Sequence, residues 1–235
     1  MSDLVAYEAE VLSAKAAWNA GVAAHYAYWF AVIHRHAGFE QAHEEFARDM
    51  RPDRPLLDYL RVRLPEGRGA VRVLDVGSGP VASCGWTTEG RELEVTAIDP
   101  LALIYGEAMG MAGLEPPQRT IQIDMESMGQ LFETAAFDLV HLREALSQSF
   151  DPLRVLSEAV KLTRKGGSVI ATGRIDDGEF CKYYALHQWN LRLEDGLLVL
   201  WRGSVRIAVQ EALSGLARVT AFEDQGNYVA TITPA

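Results

Sequence analysis

The segment from Val71 to Pro80 constrains the fold more than any other part of the chain. Its apolar run 71–76 is typical of a buried strand, and Gly77-Ser78-Gly79 follows directly. Two closely spaced glycines let the backbone approach a ligand that a Cβ atom would exclude. About twenty residues later, a second apolar strand ends in Asp99, the interval at which nucleotide-binding α/β units place an acid on ribose hydroxyls. These features predict a nucleotide-type ligand.

From Val71 onward, strand patterns alternate with helix patterns, which predicts a parallel sheet with helices on its faces. Apolar runs predict strands over 71–76, 94–98, 119–124, 137–142, 167–172, 217–223 and 228–233. Helices are predicted over 101–112, 152–163, 179–188 and 205–213, and a hairpin over 190–202. The tight-turn sequence at 224–227 makes the last two strands antiparallel.

The first third of the chain has helical patterns and no strand pattern. Helices are predicted over 4–18, 22–36, 41–50 and 56–64, with the break between the first two at Gly21. Pro52 and Pro55 exclude a continuous helix between the last two. We therefore predict a helical cap over 1–68 and a second domain over 69–235.

Charge and composition argue against polyanionic and membrane partners. The formal net charge is −10, and an acidic surface repels nucleic-acid phosphates and anionic lipid. No apolar run is long enough to span a bilayer, and the N-terminus lacks the pattern of a signal peptide. We expect a cytoplasmic protein that acts on a small molecule, without nucleic-acid or membrane partners, and leave its oligomeric state open.

The spacing of cysteines and histidines predicts no metal site. Cys84 and Cys181 lie far apart and form no zinc motif, which fits a reducing compartment. His34 and His36 are two residues apart and therefore point to different faces of a helix.

Five motifs in order resemble those of the class I S-adenosylmethionine (SAM)-dependent methyltransferases, over roughly residues 70–235. They are residues 73–79, Asp99, Asp124-Met125, residues 137–140 and residues 165–167. The resemblance implies a Rossmann-like, seven-stranded, mostly parallel sheet with an antiparallel last strand, covered by the N-terminal helical cap. It also implies SAM as the cofactor. Segments 77–80, 99–102 and 186–190 look like those of a bacterial subgroup of this superfamily.

The same resemblance implies which residues of the sheet domain hold SAM. Backbone at Gly77, Ser78 and Gly79 would contact the methionine portion and the ribose, and Asp99, followed by Pro100, would accept from the ribose hydroxyls. The glycines could instead form a simple tight turn, and Asp99 could be a helix N-cap.

Three more residues are predicted to contact the cofactor. Asp124 would accept from the adenine amino group while Met125 packs against the ring, although both could simply end a strand. His141 could contact SAM through its backbone. In the cap, Trp29 belongs to a group of aromatic residues that is either core packing or an aromatic face for the sulfonium.

Three residues are candidates for catalysis. Glu144 follows the fourth strand, where relatives carry an amide, and could take a proton or be a solvated charge. His187 lies in a polar-aromatic segment and could be a general base or a structural histidine. Tyr28 could contact the substrate from the cap.

The main functional hypothesis is methylation of an oxygen or nitrogen atom of a small molecule in specialised metabolism. The alternative is a SAM-consuming cyclase that releases methylthioadenosine and forms 1-aminocyclopropane-1-carboxylate or azetidine-2-carboxylate. It is kept because residues 144–148 (EALSQ) depart from the family pattern on the acceptor side. A non-catalytic SAM-binding protein is the third possibility.

Overall fold

The computed structural model describes residues 2–67 and 69–235. The strands are β1 Val71–Val76, β2 Leu93–Asp99, β3 Ile121–Gln122, β4 Phe137–Arg143, β5 Thr163–Arg174, β6 Asn190–Glu194, β7 Leu197–Arg202, β8 Val205–Ala208, β9 Ala217–Asp224 and β10 Asn227–Pro234. The helices are α1 Ser2–Ile33, α2 Glu40–Asp49, α3 Asp58–Arg61, α4 Ala102–Met111, α5 Pro152–Leu162, α6 Asp177–Phe180 and α7 Val209–Ala212, with a 3-10 helix at Met125–Gln130.

The main sheet has seven strands in the order β3-β2-β1-β4-β5-β10-β9. Strands β1 to β5 are parallel, whereas β10 runs antiparallel to both of its neighbours, β5 and β9. The predicted fold class is therefore confirmed. The strand order reverses between β1 and β4, so the carboxyl ends of these strands form the crevice in which open α/β sheets bind ligands.

Alternating side chains of the central strands pack on the two faces of the sheet. On one face, Leu74 and Val140 pack with Val155 and Leu156 of α5. On the other, Val73 and neighbouring strand residues pack against a smaller cluster that includes residues of α3. Burial on both faces accounts for the nearly continuous apolar runs that made these strands recognisable in the sequence.

A separate three-stranded antiparallel sheet, in the order β6-β7-β8, lies between β5 and β9 in the chain. The predicted hairpin over 190–202 is confirmed by β6 and β7. The predicted helix over 205–213 is wrong, because Val205–Ala208 extends this sheet by pairing with β7. Only α7, over Val209–Ala212, is helical there. Pairing with β7 outweighs the local helical pattern.

The predicted helix over 179–188 is also wrong. Helix α6 ends at Phe180, and the chain then turns repeatedly, with φ of 55° at Lys182, 54° at Tyr183 and 53° at Ala185. Positive φ at residues other than glycine is strained and is concentrated at functional sites in proteins. This turn segment, residues 181–187, lies beside the cavity described below.

Helix α1 is continuous across the predicted break at Gly21. A Cβ atom on Gly21 would lie 2.8 Å from Cα of Ala185 and would collide with the carbonyl of that residue. The glycine therefore allows the turn segment to cross α1 closely. Two other predicted elements, β3 and α3, are much shorter in the structure, whereas α2 has the predicted length. Among the described residues, none of the helices combines the length and apolar character needed to span a membrane.

Candidate active site

A cavity of about 430 Å³ lies at the carboxyl ends of β1, β2 and β4, with residues of α1 and the turn segment over it. This volume is in the range of small-molecule sites. The predicted site residues that line it are Tyr28, Trp29, Gly77, Ser78, Gly79, Asp99, Pro100, Met125, Glu144 and His187. Asp124 and His141 do not line it.

The glycine turn after β1 forms one wall of the cavity. Gly77 and Gly79 have φ of 66° and 70°, in the left-handed region that favours glycine. A Cβ atom on Gly77 would lie 2.8 Å from Cβ of Ala145 and 2.9 Å from Sδ of Met125, and one on Gly79 would lie 3.0 Å from the ring of Trp29. This wall therefore consists of backbone atoms. A side chain at either glycine would occupy the space beside it.

Asp99 ends β2 beside this turn and is 7% exposed. Its Oδ2 accepts from the backbone N–H of Gly79 at 3.0 Å, and its Oδ1 accepts from that of Leu101 at 2.8 Å. Burial raises the pKa of Asp99 to about 6, although the two backbone hydrogen bonds oppose this shift. Each carboxylate oxygen keeps a lone pair for a further donor, so the predicted role as a ribose acceptor is compatible with its bonds inside the protein.

A buried hydroxyl group in the cavity lining has no partner within the described parts of the chain. Tyr105, in the first turns of α4, is 1% exposed, and its Oη makes no hydrogen bond there. Buried hydroxyls are nearly always paired, so an orphan in a cavity lining points to a missing ligand. The bare glycine wall, Asp99 and this hydroxyl together fit a nucleoside with a polar ribose.

Helix α1 covers the cavity with aromatic side chains. Trp29 packs over the glycine turn, and its Nε1–H donates to Nε2 of His25 at 3.2 Å. Burial, and then proximity to His187, lowers the pKa of His25 to about 4. His25 is therefore neutral at pH 7, as its acceptor role requires. Tyr28, whose pKa is raised by burial and then by Glu45, lines the same side.

Glu144 lies just after β4 with φ of 56°, a strained conformation for this residue. Its Oε2 accepts from the backbone N–H of Arg174 at 3.2 Å. Burial is the largest cause of its raised pKa, to which the nearby charge of Asp177 adds. The carboxylate can thus hold or accept a proton at the cavity wall.

His187 is paired with a carboxylate that sequence reasoning did not single out. Its Nδ1 lies 2.6 Å from Oδ2 of Asp177, which is 3% exposed, whereas the His187 ring lines the cavity. Burial alone would raise the pKa of Asp177, but the hydrogen bond from His187 is the largest of the effects that hold it below its ordinary value. A buried carboxylate that orients an imidazole is the arrangement of a general base.

Cys181 completes a group of three potential metal ligands with this pair, whose ligand atoms all lie within 4.8 Å of one another. The Cys181 Sγ–H donates to Oδ1 of Asp177 at 3.6 Å. Two ligand atoms on tetrahedral zinc are about 3.3 Å apart, whereas Asp177 and His187 are 2.6 Å apart. Their distance is that of a hydrogen bond.

His141 and Asp124 lie outside the cavity lining. The His141 ring is fully buried, with Nδ1 2.7 Å from Oδ1 of Asp75 and Nε2 2.8 Å from Oη of Tyr59. Asp75 also accepts from the backbone of Ser83, which ties the loop after the glycine turn to β1. His141 is thus part of a structural network. Asp124 is exposed and precedes the 3-10 helix.

Sequence reasoning also missed Tyr105 and His25 as cavity residues. Tyr105 follows Asp99 by six residues. The helical pattern of α4 could have indicated that Tyr105 lies near the carboxyl end of β2. The position of Asp177 depends on the irregular turn after β5, for which the sequence carries no periodic signal.

The family described as "Methyltransferase domain" matches residues 74–171, from β1 into β5. Residues 74–171 are therefore similar to a methyltransferase domain, and the sheet that contains them has the strand order of a Rossmann-like α/β fold. This domain match supports SAM-dependent methyl transfer, with SAM as the cofactor. No curated protein matches the chain significantly.

The chain also matches solved structures at low sequence identity, among them the following three. The CurJ carbon methyltransferase is 16% identical, with 74% of this chain and 50% of that chain covered and a TM-score of 0.49. An O-methyltransferase family protein from Burkholderia thailandensis is 11% identical, with 84% and 57% covered and a TM-score of 0.48. A Pyrococcus horikoshii protein is 13% identical, with 85% and 93% covered and a TM-score of 0.49. The chain spans 50% of the first and 57% of the second of these proteins.

Proposed function

We propose that this enzyme methylates an oxygen or nitrogen atom of a small molecule, as a biosynthetic step of specialised metabolism, with His187 as the general base. The observation that carries this proposal is the Asp177–His187 pair, because His187 lines the same cavity as the glycine turn and Asp99. A base at that place can remove a proton from an acceptor while the methyl group is transferred.

Bound SAM supplies a methyl group on a sulfonium, whose departure leaves a neutral thioether. The work left to the protein is therefore positioning the acceptor and removing its proton. His187 takes the proton of a hydroxyl or ammonium group on Nε2. Asp177 holds the proton on Nδ1 and stabilises the imidazolium charge that forms.

Size and charge support a small acceptor. The cavity is covered by α1 and by Tyr184, Ala185 and Leu186 of the turn segment, which leaves little room for a polymer. The formal net charge of −10 opposes nucleic acid. Both cysteines are free thiols, which fits the cytoplasm.

The experiment incubates the purified protein with SAM alone and with panels of small alcohols, phenols and amines, and analyses the products by mass spectrometry. We expect S-adenosylhomocysteine and a methylated product only when a suitable acceptor is present. Methylthioadenosine formed from SAM without an acceptor would contradict the proposal and support the cyclase alternative. Saturable binding of SAM without either product across the panels would contradict an enzymatic role for this site.

A further inference from the structure

The hydroxyl of Tyr105 has no partner among the described residues, and Tyr105 lines the same cavity as Asp99 without a role in the proposed reaction. Tyr105 lies on α4, which begins three residues after Asp99, and its ring is buried against Trp29, with ring centroids 6.0 Å apart. The nearby Asp99 charge is the second cause, after burial, of the raised Tyr105 pKa. Tyr105 and Asp99 line the same cavity, yet no hydrogen bond joins the hydroxyl to the carboxylate.

Asp99 is fixed by its backbone partners and cannot turn toward the hydroxyl without losing one of them. Both of its oxygens accept backbone N–H groups, those of Gly79 and Leu101. The lining of this cavity thus contains a carboxylate acceptor and a hydroxyl donor that are not hydrogen-bonded to each other.

We propose that Tyr105 is a cofactor-binding residue. Its hydroxyl donates to a ribose hydroxyl of SAM, and that ribose hydroxyl in turn donates to the carboxylate of Asp99. A ribose hydroxyl is both a donor and an acceptor, so one group can satisfy both side chains. This inference rests on the proposed placement of the ribose at Asp99. It makes Tyr105 a determinant of ribose recognition, because a deoxyribose would leave its buried donor unpaired.

The test substitutes Tyr105→Phe and measures two quantities: affinity for S-adenosylhomocysteine by calorimetry, and thermal stability without ligand. Loss of one hydrogen bond should weaken binding about tenfold. The melting temperature without ligand should stay the same or rise, because the substitution removes a buried polar group that has no partner in the described parts of the chain.

Tyr7→Phe is the matched control. Tyr7 is also buried, but its Oη donates to Asp151 at 2.7 Å and accepts from the N–H of Leu153 at 3.2 Å, and it lies outside the cavity lining. This control should lower the melting temperature by about 2–4 °C and leave the affinity for S-adenosylhomocysteine unchanged. The two tyrosines should therefore respond in opposite ways.

Repeating the calorimetry with 2′-deoxy and 3′-deoxy S-adenosylhomocysteine locates the contact. For one of the two analogues, wild type and Tyr105→Phe should bind equally well. Unchanged affinity of the variant for S-adenosylhomocysteine would overturn the inference, as would a melting temperature that falls as in Tyr7→Phe. An affinity loss that persists with both analogues would also overturn it. Absence of binding by the wild type would instead overturn the proposed SAM site itself.

Discussion

Nδ1 of His187, at the end of the turn segment, lies 2.6 Å from Oδ2 of Asp177, the first residue of α6, and His187 lines the cavity. The carboxylate is buried and ionised at neutral pH, because its pKa lies below the ordinary value. An ionised acceptor at Nδ1 fixes the imidazole proton on that nitrogen. Nε2 is then the basic atom available to a substrate.

Replacing Asp177 with asparagine tests this arrangement. The amide can donate to Nδ1 and thereby favours the tautomer that carries its proton on Nε2, which cannot act as a base. We expect kcat to fall about 10²- to 10⁴-fold, with S-adenosylhomocysteine affinity within twofold of the wild type. The measurements are single-turnover kinetics with an acceptor found by the product assay, and calorimetry.

Asp176→Asn is the matched control for this substitution. Asp176 neighbours Asp177 but bonds to Arg192 and Trp201, away from the cavity lining, and its φ of 52° suits asparagine. We expect nearly unchanged turnover for the control. Equal losses in both variants would assign Asp177 a structural role.

The buried carboxyl of Asp99 should make cofactor binding depend on pH. Its pKa of about 6 in the free protein is above the usual range, so it gains a proton as the pH falls through 6 and then no longer offers a charged acceptor. Affinity for S-adenosylhomocysteine should therefore be constant above this pH and fall by up to about tenfold per pH unit below it. Calorimetry from pH 5 to pH 8 measures the profile.

Asp99→Asn should bind S-adenosylhomocysteine more weakly at pH 8 and lose the decline near pH 6. If the variant shows the same pH profile as the wild type, another group is responsible. If Asp99→Ala binds as tightly as the wild type, the ribose assignment is wrong.

Glu144→Gln isolates the charge of the carboxylate after β4. Glutamine can still accept from the N–H of Arg174, as Glu144 does at 3.2 Å, so the strained turn at this residue should persist. We expect turnover to fall at least about tenfold while S-adenosylhomocysteine affinity stays unchanged. Circular dichroism checks the fold, and full activity would remove Glu144 from the mechanism.

The parts of the fold that were predictable are those with a local repeating signal. Strands β1, β2 and β4 are mostly apolar because both of their faces are largely buried, and the turn after β1 needs glycine at positive φ. The parallel order of the central sheet follows from the alternation of strands and helices. The cavity residues at strand ends, such as Asp99 and Glu144, could therefore be found from the sequence.

The unpredicted features depend on contacts between distant segments. Strand β8 exists because Val205 to Ala208 pairs with β7, and its local pattern is equally compatible with a helix. Asp177 meets His187 only because Lys182, Tyr183 and Ala185 adopt positive φ between them. No periodic pattern in the sequence predicts this backbone conformation.

The importance of tertiary contacts can be tested at Gly21. There, helix propensity and the contact with Ala185 predict opposite effects of an alanine substitution on stability. In an exposed helix interior, glycine to alanine raises stability by about 0.5–1 kcal/mol. In α1, however, a Cβ atom at this position would collide with the backbone of Ala185, whose carbonyl also accepts from Nε2 of Gln188 at 2.9 Å. We expect Gly21→Ala to lower the free energy of unfolding by about 1–3 kcal/mol and to reduce turnover by displacing His187.

Gly106→Ala provides the comparison, since Gly106 lies in α4 with open space where a Cβ atom would be. That variant should gain about 0.5–1 kcal/mol and keep wild-type turnover. Urea denaturation of both variants, together with initial rates, separates the two effects. If Gly21→Ala were as stabilising as Gly106→Ala, the close crossing of α1 and the turn segment would be disproved. That crossing is the reason for a glycine in the middle of a 32-residue helix.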